Sequence, residues 1–157
     1  MPKRLHLKRK MKKFKFDLQD VLDFRKFEQT QAEIELGKAL AQEQKIQNQL
    51  DELALQKVTM QKQMNGSTDF SAISQASSFS SFVRKQSEYL LEQLTQAKMV
   101  SDQKREVLKN AMQKVDALEK LKESQKEDFD AEQKRKTAKL IGQIVTVKYA
   151  REGKEKG

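Results

Sequence analysis

The chain has no cysteine, no tryptophan and one proline in 157 residues, with five glycines and 6% aromatic residues. Each shortage excludes something. Without cysteine there is no disulfide framework and no thiolate chemistry, which fits a reducing compartment. Few aromatic and β-branched residues and few turn formers argue against a strand-rich fold. No apolar run approaches the roughly 20 residues of a membrane span, and no secretory apolar region follows the basic start. Glutamine, alanine, leucine, glutamate and lysine fill most of the sequence, and charged residues make up 35% of it. That mixture favours long helices.

Charge is unevenly placed. The net charge is +9, and residues 1–16, MPKRLHLKRKMKKFKF, supply +8 of it with eight basic side chains and no acid. The remainder is nearly neutral, so the basic character belongs to one short arm.

From Leu18 to Met64, steps of alternately four and three residues land on ten apolar side chains in fourteen positions. Arg25, Gln29, Glu43 and Lys57 are the polar exceptions. A sustained 3.5-residue repeat is the pattern of a left-handed coiled coil. Asp17 is placed to cap this helix. The stretch NGSTDFSAISQASSFSS breaks the repeat. Asn65-Gly66 is a helix stop, since both residues tolerate the left-handed conformation. Phe70, Ile73, Phe79 and Phe82 place the start of a second helix inside the serine-rich part. A second seam in the same steps runs from Val83 to Leu118, with eight apolar side chains in eleven positions.

Two helices with one apolar stripe each, joined by a short break, predict an all-α protein: a long antiparallel two-helix coiled coil, or helical hairpin. The expected divisions are a basic arm over 1–16, with 1–10 an extension, a hairpin over 17–148 with its tip near 65–69, and a charged tail over 149–157. At 1.5 Å per residue the first helix spans roughly 70 Å, which predicts a rod with a narrow buried ribbon, marginal stability and frayed ends. Leu18 falls opposite residues 116–118, and residues beyond about 120 overhang the first helix.

No catalytic constellation is visible. His6 lies in the basic arm without the partners that metal or triad chemistry needs, so no cofactor and no metal are expected. There is no glycine-rich phosphate loop. Gly37 marks either a weak point or a close approach. Acidic pairs such as Glu127 and Asp128 read as a solvated face. The arm could neutralise phosphates, and Phe14 and Phe16 could stack on bases, but the helical body offers no basic reading face, and no specific nucleic acid is expected. Phe27, Ile34, Ala41 and Leu55 recur at multiples of seven opposite the seam, with Phe24 beside Phe27, a candidate docking surface. Leu140, Ile141, Ile144, Val145 and Val147 form a second candidate patch.

MKKFKFDLQDVLDFRKFEQTQAEIELGKAL, from Met11, resembles the opening of the FliJ family, the small coiled-coil proteins of flagellar type III export. Phe14, Phe16, Leu18, Val21-Leu22, Arg25, Glu28 and the alanine-rich helix after them carry the likeness, and EDFDAEQKRKTAKL resembles the family's charged closing segment. The family's usual start falls at Met11, which leaves MPKRLHLKRK as an extension.

The resemblance implies a hairpin similar to the central stalk of rotary ATPases, whose open end enters the pore of the hexameric export ATPase. It also implies contacts with the cytoplasmic domain of the membrane export gate and, in some members, with export chaperones. The residues implied to face the ATPase are Leu18, Val21, Leu22 and Arg25 on the first helix and Glu132, Arg135 and Leu140 on the second. Phe24, Phe27 and Ile34 are the outer-face candidates. The implied place is the cytoplasm, peripheral to the inner membrane at the flagellar base, in a system serving motility and chemotaxis. The implied role is a stalk and adaptor without enzymatic activity. Three alternatives stand beside it: the coiled-coil stalk of a virulence type III secretion system, a generic structural coiled coil, and a nucleic-acid-binding protein working through its arm. Arg25 has two readings, as a register-setting seam residue paired with Glu119 or Asp116, or as a charge that reaches the rim of the ATPase pore.

Overall fold

A computed structural model of the chain describes residues 12–155, with the side chain of Glu155 excepted; the basic extension 1–10, its His6 and the last two residues lie outside the described part. Two α-helices make up most of the described residues, α1 (Gln19–Met64) and α2 (Phe70–Glu155). No proline falls within either, and glutamine contributes directly. Gln19, Gln29, Gln44 and Gln47 each donate to a polar side chain four residues on, at 2.8–3.1 Å. Such pairs add a few tenths of a kcal/mol each to a helix, about 0.2–0.5.

The ends of α1 follow from local chemistry. Phe16 accepts from the Gln19 amide at 3.1 Å, and the first helical bond runs from the Leu22 amide to Leu18 at 2.9 Å. Leu18, not Asp17, therefore stands at the cap position. At the other end Gly66 takes φ +84°, a conformation that costs a side chain dearly, and the Ser67 amide closes on the Met64 carbonyl at 3.1 Å. Asp69 then caps α2. Its carboxylate accepts from the Ser71 amide at 3.2 Å while its carbonyl accepts from Ile73 at 3.0 Å. From Phe70 the second helix continues through Lys148 to Glu155 without a break at the expected tail.

The chain divides into two compact units, one built from residues up to Arg25 with those from Lys114 onward, the other from Lys26–Gln113. In the first unit Phe14 meets Phe129 and Gln19 meets Lys122. Numbers rise on one segment as they fall on the other, so the pairing is antiparallel. Its apolar centre is Phe16, Leu22 and Val115, with Phe14 and Leu118 packed against it. In the second unit the seam is shielded at every expected position except Lys57, and Ala32, Ile46, Val83, Leu94, Ser101 and Ala111 are its most buried members. Half of those six are alanine or serine, so this seam is narrow. It also leaves two polar atoms without partners, Glu43 Oε1 and the hydroxyl of the fully buried Ser101. A Cβ built on Gly37 meets nothing within 4 Å, so this glycine serves no close approach.

Candidate partner-binding surfaces

The first unit gathers most of the sequence-derived candidates. The residues just before α1 are the part that sequence reasoning missed. They fall in the basic arm, where the charge pattern gives no sign of packing, yet Phe16 is 5% exposed and Phe14 stacks at a tilt on Phe129, with ring centroids 5.7 Å apart. The signal lay in the alternation Phe-Lys-Phe. In an extended segment, residues two apart share a face, so both rings turn inward while Lys15 between them stays exposed. A buried Phe16 cannot stack on a nucleic-acid base, which corrects that use of the arm. A shallow groove of about 540 Å³ beside the Phe14 and Phe129 rings is edged by Lys12, Lys13, Lys15, Asp128 and Glu132.

The candidates on the α1 side divide by burial. Leu22 is 1% exposed within the unit's own core, so its side chain holds the helices together and is not free to meet a partner. Leu18 and Val21 are about two-fifths exposed and present apolar surface. Arg25 is half-buried, with its guanidinium carbon 5.9 Å from the centre of the Phe24 ring, a cation–π distance. Asp116, one of its two expected partners, bonds Lys120 at 2.9 Å, and that hydrogen bond and charge hold the lysine's pKa above its ordinary value. A polar bridge joins the two segments near the start of α1, where Lys122 donates to Gln19 Oε1 at 2.7 Å and Gln19 donates in turn to Asp23 at 2.9 Å.

On α2, Arg135 and Leu140 sit on uncovered helix, while Glu132 edges the groove beside Phe14. Glu132 pairs with Lys136 four residues on, at 3.5 Å, and both are mostly exposed. Arg135 is exposed, and Leu140 is more than half exposed. Every residue from Lys134 to Lys154 is exposed, the aliphatic ones included. In the second unit Phe27 and Ile34 point away from the seam, 58% and 46% exposed. A groove of about 390 Å³ runs between α1 and α2 there, past Leu53, Gln56, Phe82, Gln86 and Tyr89. Among the described residues no group of acidic or histidine side chains could hold a metal ion.

The surfaces are apolar or basic helix faces, suited to a protein partner. A family model described as flagellar FliJ protein matches residues 14–154. The chain belongs to the flagellar FliJ protein family. No curated protein and no solved structure matches it. The matched span begins at Phe14, where the described chain first packs on α2, and takes in the whole of the uncovered helix up to Lys154. Membership makes the chain a component of flagellar type III export, and the flagellar description decides against the virulence counterpart.

Proposed function

We propose that this family member acts as a stalk and adaptor without enzymatic activity, joining the hexameric export ATPase to the cytoplasmic domain of the export gate, with export chaperones as further partners. Its place is cytoplasmic, peripheral to the inner membrane at the flagellar base. The observation that carries the reading is the bare length of α2, where Arg135 and Leu140 stand exposed on helix that no other described residue covers. A helix without a partner of its own is what a ring-shaped protein could enclose. Leu18, Val21 and Arg25, in the same unit, add exposed apolar surface and one charge to the proposed ATPase contact. Leu22 supports it from within by fixing the segment. The exposed Phe27 and Ile34 of the second unit are assigned to the gate domain or a chaperone.

The test is binding to the purified export ATPase and stimulation of its ATP hydrolysis. Val21→Asp and Arg25→Ala are expected to weaken binding about tenfold or more, and the Arg25 effect to shrink with salt, since ionic contacts are screened. Arg84→Ala, in the second unit, is the control and should bind as the parent does. Equal loss from Arg84→Ala, or a fall in melting temperature with unchanged affinity for Arg25→Ala, would make Arg25 a structural residue. The purified chain alone should not turn over ATP.

A further inference from the structure

The uncovered part of α2 differs from the rest of that helix in the sign of its charge. Between Glu132 and Glu152 there is no acidic residue, while Lys134, Arg135, Lys136, Lys139, Lys148 and Arg151 are all basic. Elsewhere on the helix both signs alternate, as in the pairs Asp102–Arg105 and Asp116–Lys120. The change falls where side chains cease to be shielded. On the same stretch Leu140, Ile144 and Val147 recur at steps of four and three, with Ile141 and Val145 beside them, and each is more than half exposed. At 100° per residue these five span roughly 160° of the helix, wider than the two-position stripe of a coiled-coil seam. Lys139, Gln143 and Thr146 take the opposite face, Lys136 borders the apolar one beside Val147, and Tyr149 lies at its C-terminal edge, with Lys148 and Arg151 within its sector at the helix end. Among the described residues no helix is long and apolar enough to cross a membrane.

A broad aliphatic face, with basic residues before and after it along the helix and a tyrosine near its end, fits the plane of a lipid interface better than the groove of a single helix. We propose that residues 134–154 of α2 bind the surface of a bilayer containing anionic phospholipid, with the helix lying in the headgroup region. Leu140, Ile141, Ile144, Val145 and Val147 enter to roughly 5–10 Å, while the lysines and arginines pair with lipid phosphates. The inference goes beyond the stalk reading and does not rest on it: an ATPase that encloses this helix would compete with the bilayer for it.

The absence of tryptophan from the chain supplies the probe. The full chain carrying Val147→Trp is mixed at low salt with phosphatidylcholine vesicles, with or without phosphatidylglycerol, and followed by fluorescence and co-sedimentation. With phosphatidylglycerol the emission moves to shorter wavelength, and binding is at least about tenfold tighter than to phosphatidylcholine alone. Ile144→Asp in the same background lowers affinity about tenfold or more without loss of helix content, because Ile144 is 59% exposed. Each of Lys136→Gln and Lys148→Gln costs about fivefold. Deleting residues 1–10 leaves the spectral shift in place. Failure to bind the anionic vesicles overturns the proposal. So does binding during which the reporter's emission stays that of water, since the basic arm would then be the contact. A shift of equal size with polyglutamate in place of vesicles also overturns it, and would assign the helix to an acidic protein.

Discussion

Residues 83–118 and 134–154 lie on one continuous helix and carry apolar side chains at the same three- and four-residue steps. In the first stretch each position of the stripe, from Val83 to Leu118, is shielded. In the second none is, and Ile144 is 59% exposed. The three- and four-residue steps alone do not separate the two in exposure. What separates them is the reach of the opposing chain. Residues 12–64 include the cover for the first stretch, and the last described contact before Lys134, Phe14 on Phe129, marks where that cover thins out. A stripe pattern in the sequence thus states only that a partner is needed. Whether the partner is the chain itself or another body depends on lengths and turns elsewhere.

The comparison can be broken most severely at the core of the first unit. Leu22→Ala removes the most buried large apolar side chain and should cost about 2–4 kcal/mol in denaturant unfolding, whereas Leu140→Ala should change stability by less than about 0.5 kcal/mol. Similar losses from both would mean that the uncovered stretch is packed after all. Phe14→Ala comes next, at about 1–2 kcal/mol, because it deletes a half-buried ring and its contact with Phe129; proteolysis near Lys12 and Lys13 should accelerate with it. No change in either measurement would show that residues 12–16 do not dock.

Much of this was legible in the sequence, and the exceptions have physical reasons. The alternating steps from Leu22 to Met64 locate the shielded face of α1, and Asn65-Gly66 locates its end. Lys57 and Leu18 lie on the same steps yet remain exposed. Lys57 keeps its charge in water, and Leu18 precedes the first helical turn, where the step count no longer fixes a direction. Phe14 and Phe16 were hidden because their two-residue alternation is short and sits within a run of lysines, so charge dominated the reading. Asp69 as the cap of α2 was obscured by the serines around it, each of which is an acceptable cap. The candidate contacts on α2 were legible as an apolar patch, and Leu22 as a seam residue; its burial against Val115 agrees with the seam and removes it from the partner surface that the family resemblance implied.

Smaller effects sharpen the contrast within the shielded stretch. Ser101→Ala removes a buried hydroxyl that has no partner, and should raise stability by up to about 1 kcal/mol. A loss of similar size would mean that the hydroxyl has found a bond. Gly37→Ala should gain about 0.5–1 kcal/mol, since the position is helical and open. Destabilisation there would point to a neighbour that the glycine admits.

Hydrogen exchange with and without the purified export ATPase tests the central claim most directly. The account predicts that amides 134–154 of the free chain exchange much faster than amides 83–118, and that adding the ATPase slows exchange in 134–154 at least about tenfold while 83–118 stays slow. Equal protection of the two stretches in the free chain, or ATPase-induced protection confined to residues 26–113, would contradict it.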